Sequence, residues 1–414
     1  MLVERKIYTD RIKGFFGTEP VKVIIGMRRC GKSGILGLVL SEALKVTDER
    51  HIIHINFEDA KYKKIRTYED LDALLEQRIV DDGRYYVFLD EVQNVTGWES
   101  SVNSLRLRNT DIYVTGSNSK LLSGELATLL AGRYVAFEVG TLSFSEFIRF
   151  RDEFGIGRTA RAALDGADED AVHAELDEYI RTGGFPMLST WPFSPEQARQ
   201  VIEDIHASAV LKDVVARNSI RNVPLLEKII DYIYDNVGNL VSVANIANYM
   251  RSNGGSADVE TVSSYLSYLE NGRILQRAQK YDVRGKRLLE SNDKYYLADH
   301  SLQYAVREVG RDNLPGILEN IVYNELVRRG HRVYVGKAGE KEIDFVAERP
   351  GGDKMYVQVC TEFGNEGTVE REFAPLVGIR DHYPKYVVTL DKYWRVDRGG
   401  VKGVHLADFL LGRV

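Results

Sequence analysis

The sequence predicts an α/β fold: a parallel-sheet core in the first third, helical segments after it, and a second α/β region at the end. Three observations predict it. The apolar run Val21–Ile25 opens into Gly26, four residues, then Gly31-Lys32-Ser33, and a helix-compatible stretch runs from Gly34 to Lys45. A second apolar run, Tyr85–Leu89, ends directly in Asp90-Glu91. Far downstream, an amphipathic helix reading LENIVYNELVRRG from Leu318 precedes several strand-like runs.

The whole chain sets the bounds. Its 414 residues predict two to four domains, and 44% hydrophobic content is enough for several packed cores. A net charge of -6 argues against a generally cationic nucleic-acid coat protein, so any such binding must be regional. Cys30 and Cys360 are the only cysteines, too few for a disulfide framework. Met1 to Gly14 lacks the apolar centre of a leader, and no apolar run reaches membrane-spanning length. These features predict a cytoplasmic protein with no membrane partner.

Gly26-x4-Gly31-Lys32-Ser33 has the pattern of a phosphate-binding loop. Its physics requires backbone N–H groups, here from Gly26 through Met27, Arg28, Arg29 and Cys30 to Gly34, curled around phosphate oxygens. Lys32 is expected on the β and γ phosphates and the Ser33 hydroxyl on Mg²⁺, with the following helix adding its positive end. Ile52–Phe57 is the next strand, followed by a charged helix carrying Leu71, Leu74, Leu75 and Ile79. Tyr85–Leu89 then delivers Asp90 to the Mg²⁺ shell and Glu91, as candidate base, toward an attacking water.

Ile112–Thr115 is a fourth strand, closed by Gly116-Ser117-Asn118-Ser119. In an open parallel sheet the ligand lies beyond the carboxyl ends of the strands, so Asn118 suits a γ-phosphate sensor, or the cap of a helix starting near Lys120. Arg133 precedes the strand Val135–Val139. An arginine there suits charge developing on a γ-phosphate, in cis or from a neighbouring subunit of a homo-oligomer, or makes an ordinary ion pair.

The strings GMRRCGKS, VFLDEVQNV, VTGSNSKLLSGE, LAGRY and LSFSEF together resemble the prokaryotic AAA-type ATPases that carry a C-terminal domain of unknown function. The resemblance covers essentially the whole chain. It implies a P-loop NTPase core over 1–150, a helical lid over 151–222, a winged helix-turn-helix over 223–300 and a nuclease-like domain over 301–414. It also implies ATP as ligand, Mg²⁺ held by Ser33 and Asp90, and hydrolysis assisted by Glu91.

In the middle of the chain, Phe144–Phe154 and Asp170–Thr182 read as helices around a flexible connection, Gly155–Asp170. Gly183-Gly184-Phe185-Pro186 reads as a turn. Three helical periods (Leu225–Val237, Ser242–Arg251, Val259–Leu269) and strands at Ile274–Tyr281, Arg287–Ser291 and Lys294–Leu297 predict the winged helix. Its strands carry Arg273, Arg277, Lys280, Arg284, Lys286 and Arg287, suited to DNA phosphates. The expected recognition helix is acidic at its ends and offers only Ser263, Ser264, Tyr265 and Tyr268 for reading bases, so protein–protein or interdomain packing is an equal use for the module.

The last region resembles the PD-(D/E)xK nuclease fold, whose chemistry needs a helix acid, a strand Asp and a Glu-x-Lys. Glu319 (or Glu325) and Asp344 fit the first two. Gln358-Val359-Cys360 stands where Glu-x-Lys should be, removing an anionic ligand and the lysine charge. An inactive centre is expected, with Cys360 filling core rather than acting as nucleophile.

Overall fold

The computed structural model describes residues 2–117, 129–157, 159–165, 168–253, 257–289, 292–306, 313–392 and 396–414. Asn118 lies outside them. The chain forms two compact units, residues 1–139 with 271–273, and residues 140–270 with 274–414. None of the described helices is long and apolar enough to cross a membrane.

The first unit is a five-stranded sheet in the order β2-β3-β4-β1-β5, parallel throughout. Its strands are β1 Val21–Ile25, β2 Ile52–Asn56, β3 Tyr85–Asp90, β4 Thr110–Gly116 and β5 Tyr134–Glu138. Helices α1 Lys6–Lys13, α2 Lys32–Ala43, α3 Tyr68–Arg78 and α4 Trp98–Arg106 cover it. Strands β1, β3 and β4 are buried along their whole length, which is why they read as unbroken apolar runs. The polar exceptions are paired: Lys22 Nζ meets Asp111 Oδ1 at 2.6 Å with both side chains fully buried, and Asp111 also accepts from Gly17 N–H and the Tyr113 hydroxyl.

The second unit opens with α5 Phe144–Glu153, α6 Ala160–Asp165, α7 Glu169–Thr182 and α8 Pro195–Ala209, the last running into a π-helical stretch, Val210–Ala216. Helix α6 occupies the segment expected to be a flexible connection. Its Ala160 and Ala163 are buried, and small residues let it pack close. The Gly183–Phe185 turn is docked: Gly184 N–H donates to Asp299 Oδ2 at 2.9 Å, its carbonyl accepts from Leu142 N–H at 2.7 Å, and Phe185 is fully buried. A Cβ on Gly183 would lie 2.2 Å from Asp299 Oδ1, so the docking requires glycine there.

Next come α9 Val223–Asp235, β6 Leu240–Val241, α10 Val243–Ser252, α11 Val259–Asn271, β7 Leu275–Ala278 and β10 Asp293–Leu297, with β6, β10 and β7 forming a three-stranded antiparallel sheet. The strand expected over Ile274–Tyr281 is divided. After Gln279 the chain leaves β7 and enters β8 Lys280–Asp282, which with β9 Arg287–Leu288 belongs to a different, eight-stranded mixed sheet in the order β15-β16-β14-β13-β12-β11-β8-β9. Tyr265, expected to face outward on α11, is buried.

That sheet matches the expected terminal strands: β11 Arg332–Ala338, β12 Lys341–Glu348, β13 Lys354–Val359 and β14 Lys385–Thr389, followed by β15 Asp397–Arg398 and β16 Val401–His405. Helices α12 Leu302–Val306, α13 Leu314–Arg328, α14 Glu366–Val377 and α15 Leu406–Leu410 complete the unit. Buried α13 carries polar residues on its inner side. Asn320 both donates to the Leu297 carbonyl and accepts from Leu297 N–H, each at 2.8 Å, which ties the helix to the end of β10.

Candidate functional site

In the first unit the register brings Ile25 beside Gly116 and Asn56 beside Asp90, so the loop after β1 and the ends of β2, β3 and β4 lie at one edge of the sheet. The loop holds its shape by close approach. A Cβ on Gly26 would lie 2.2 Å from the Val139 carbonyl oxygen and 2.9 Å from Cys30 Sγ. Arg29 and Gly31 take left-handed backbone angles, and Gly31 is the N-cap of α2. Met27 and Cys30 are buried, Arg28 pairs with Glu58 at 3.2 Å, and Arg29 and Ser33 are exposed. Burial pushes the Cys30 thiol up, against the pull of Lys32 and Arg5.

Lys32 is 4% exposed. Its ammonium donates to the carbonyls of Gly26 and Met27, both at 3.2 Å, and stands 3.7 Å from Glu91 Oε1. Asp90, 2% exposed, accepts from the Thr115 hydroxyl, and Thr115 Oγ1 accepts from Glu91 N–H at 2.9 Å. Glu91 has φ +55°, a left-handed angle costing a non-glycine residue about 1–3 kcal/mol, held by that N–H bond and by the start of the Val92–Asn94 turn. Gln93 Nε2 donates to Glu91 Oε2.

Thr115 escaped sequence reasoning, which looked three residues further to Asn118. The sheet order explains its importance. Strand β4 lies between β1 and β3, so the ends of those two strands are separated by about 10 Å, two strand spacings, and the end of β4 fills the gap. The signal was present: a polar residue ending an apolar strand.

Arg133 is not brought to this edge. Val21 N–H donates to the Arg133 carbonyl at 2.9 Å, which sets Arg133 beside the first residue of β1 while the loop follows the last. That is about 16 Å of strand, beyond the reach of an arginine side chain, and a cis role is incompatible with it.

The oxygen donors suit Mg²⁺. Asp90 offers a hard carboxylate and Ser33 a hydroxyl, and this ion is ordinarily held by one or two carboxylates plus phosphate oxygens, not by an all-protein cage.

The second unit gathers the other predicted residues. Glu319 of α13 and Asp344 of β12 meet, but with a partner that sequence reasoning did not foresee, Lys294 of β10. Its ammonium lies 3.1 Å from Glu319, 2.9 Å from Glu342 and 3.3 Å from Asp344, and its side chain is 3% exposed. Burial opposes the Lys294 charge, but Asp344, Glu319 and Glu342 outweigh it and hold the pKa above the ordinary lysine range. Burial and the neighbouring Asp344 push Glu319 up to about 8, and burial also raises Asp344. One ammonium does not neutralise this many acids, so the cluster retains a proton near neutrality. Gln358 accepts from Asp344 N–H at 3.3 Å and donates to Glu372 at 3.1 Å. Glu325 is elsewhere, paired with Arg328 and Arg329. Cys360 packs in the core, its thiol pushed up to about 12 by burial.

Comparisons with known proteins agree with the first unit. Residues 18–148 match a family described as AAA domain, and residues 173–313 one described as Domain of unknown function (DUF8612). A solved Walker-type ATPase of Pyrococcus abyssi superposes with TM-score 0.51 at 16% identity, covering 74% of this chain and 96% of that one, a likeness of fold. An uncharacterized protein of Methanocaldococcus jannaschii is 30% identical over 86% of this chain and 77% of its own length. An uncharacterized protein of Haemophilus influenzae is 36% identical over 99% of both chains. With relatives of this identity and extent, the chain belongs to the same family as these two uncharacterized proteins, and its first unit is an AAA domain with a P-loop at the carboxyl edge of a parallel sheet.

Proposed function

We propose that the chain is a Mg²⁺-dependent ATPase whose turnover rearranges the lid, winged-helix and C-terminal segments. The observation that carries the reading is the meeting of Lys32, Asp90, Glu91 and Thr115 at the ends of β1, β3 and β4. The Gly26–Gly34 backbone binds the polyphosphate, Lys32 leaves its carbonyl and Glu91 partners for the β and γ phosphates, and Glu91 takes a proton from water. Mg²⁺, held by Ser33 and Asp90, would supply neutralisation of phosphate charge. Arg133 enters this scheme only from a second copy of the chain. Phosphate release by purified protein is the test. Lys32→Ala and Glu91→Gln should each lose about 100-fold or more; equal rates in all three proteins would end the reading.

The C-terminal region reads as a nuclease-like fold without nuclease activity. Lys294 stands among the acids where cleavage would need a divalent ion, and Gln358 supplies an amide in place of an acid. Plasmid incubated with the protein and Mg²⁺ should stay intact; nicking abolished by Asp344→Ala would overturn this.

A second reading, a slow nucleotide-gated switch docking DNA or a partner protein, has one observation that favours its DNA form. Arg284, Lys286 and Arg287 are exposed around the β8–β9 turn, although Arg277 is paired with Asp293 and Lys294 is buried. Duplex affinity that ignores both nucleotide and neutralisation of Arg284 and Lys286 would exclude it.

A further inference from the structure

We propose that Gln93 is a positioning residue for ATP hydrolysis, acting through Glu91. The inference rests on the hydrolytic reading above and adds a residue to it.

The local chain makes the contact possible. Glu91 takes its left-handed angle where β3 ends, and the next three residues form a single tight turn closed by Asn94 N–H donating to the Glu91 carbonyl at 3.1 Å. A turn this tight folds residue 93 back over residue 91, so the two side chains meet although they are only two positions apart. Gln93 Nε2 donates to Glu91 Oε2, while Lys32 approaches the other oxygen, Oε1, at 3.7 Å. The carboxylate is thus held at both oxygens by different partners. Lys32 is the partner that phosphate would compete for, because its ammonium is the cation of the loop. Gln93 is neutral and has no such competitor. When Lys32 turns to a nucleotide, the amide remains as the side-chain contact that keeps Glu91 in one orientation.

The other end of the amide adds to this. Gln93 Oε1 is buried and accepts no hydrogen bond among the described residues, although the side chain as a whole is only half-buried. With that end unengaged, the contact that fixes the amide among the described residues is the one its Nε2 makes with Glu91.

The test uses the full chain. Phosphate release and affinity for a fluorescent ADP are measured for wild type, Gln93→Ala, Gln93→Asn, Glu91→Gln and the Gln93→Ala/Glu91→Gln double variant. Gln93→Ala should lose about 10- to 100-fold in kcat, with ADP affinity within about twofold of wild type. Gln93→Asn keeps the amide but is one methylene shorter and should recover little. The double variant should be no slower than Glu91→Gln alone, because a residue acting through Glu91 has nothing left to act on; a merely structural role would give additive losses. Unchanged kcat in Gln93→Ala, additive losses, or ADP affinity falling as far as kcat would each overturn the role of Gln93 while leaving hydrolysis intact. Wild type no faster than Lys32→Ala would instead overturn the hydrolytic reading, and this inference with it.

Discussion

Replacing Lys294 with Met removes the ammonium from a group of acids and leaves the packing volume nearly unchanged. In the variant, Asp344, with a side chain 9% exposed, has two options. It stays ionised without its cation, which for a broken buried pair costs about 3–5 kcal/mol. Or it takes up a proton, which costs about 1.36 kcal/mol for each pH unit above an unfolded value near 3.9, hence about 5.6 kcal/mol at pH 8 and about 2.2 kcal/mol at pH 5.5. The cheaper option governs, so the expected loss is about 4 kcal/mol at pH 8, shrinking to about 2 kcal/mol at pH 5.5. The sign follows from proton linkage. A carboxyl whose folded pKa lies above its unfolded value makes the folded state bind the extra proton, so its stability is present at low pH and lost as pH rises. Glu319, already pushed up to about 8, gives the wild type a milder decline of the same sign, so the variant must be compared with it at each pH. Amide exchange of β10 and β12 in the full chain reads the local opening free energies. Asp344→Asn added to Lys294→Met should restore at least half of the loss, since the single amide oxygen can still accept the Val359 N–H bond that Asp344 Oδ2 accepts. Equal opening free energies in wild type and variant at pH 8, or a difference indifferent to pH, would refute the reasoning.

Other substitutions probe other parts of the molecule. Gly26→Ala drives a methyl into the Val139 carbonyl and should abolish binding of a fluorescent nucleotide while the sheet stays folded by circular dichroism. Lys22→Met strands fully buried Asp111 and should cost about 3–5 kcal/mol in urea unfolding of the first unit. Burial lowers His206 to about 4, so its neutral form is favoured in the fold and stability falls as pH drops from about 6.5 toward that value. His206→Phe should remove about 3 kcal/mol of that acid sensitivity, seen as a flatter stability profile between pH 4 and 6.5.

What the sequence disclosed was what lies contiguously along it. The loop from Gly26 to Ser33 and the Asp90-Glu91 pair carry their geometry in adjacent residues, and the buried parallel strands announce themselves as apolar runs. Thr115 was hidden because its role depends on β4 falling between β1 and β3, a pairing that no local pattern states. The cis alternative for Arg133 fell for the same reason, since the end of the sheet on which it stands follows from strand direction. Lys294 read only as the first residue of a short strand. Only packing of β10 against α13 and β12 turns it inward to Glu319 and Asp344. The division at Gln279 was equally silent, because a strand's periodicity is the same whichever sheet it joins.

That division has a mechanical consequence. Because β7 and β8 are consecutive along one stretch of chain yet belong to separate sheets, neither sheet can swing without dragging the other by its backbone. The amide of Gln276 on β7 bonded to Asn324 of α13 at 2.8 Å adds a side-chain rivet at the same joint. Cutting the polypeptide near residue 300 would strip β11 from β8 and leave a raw strand edge. The fragment so produced should clump rather than behave as a free-standing module, and any stroke delivered to this half of the protein is transmitted through it as through a welded part.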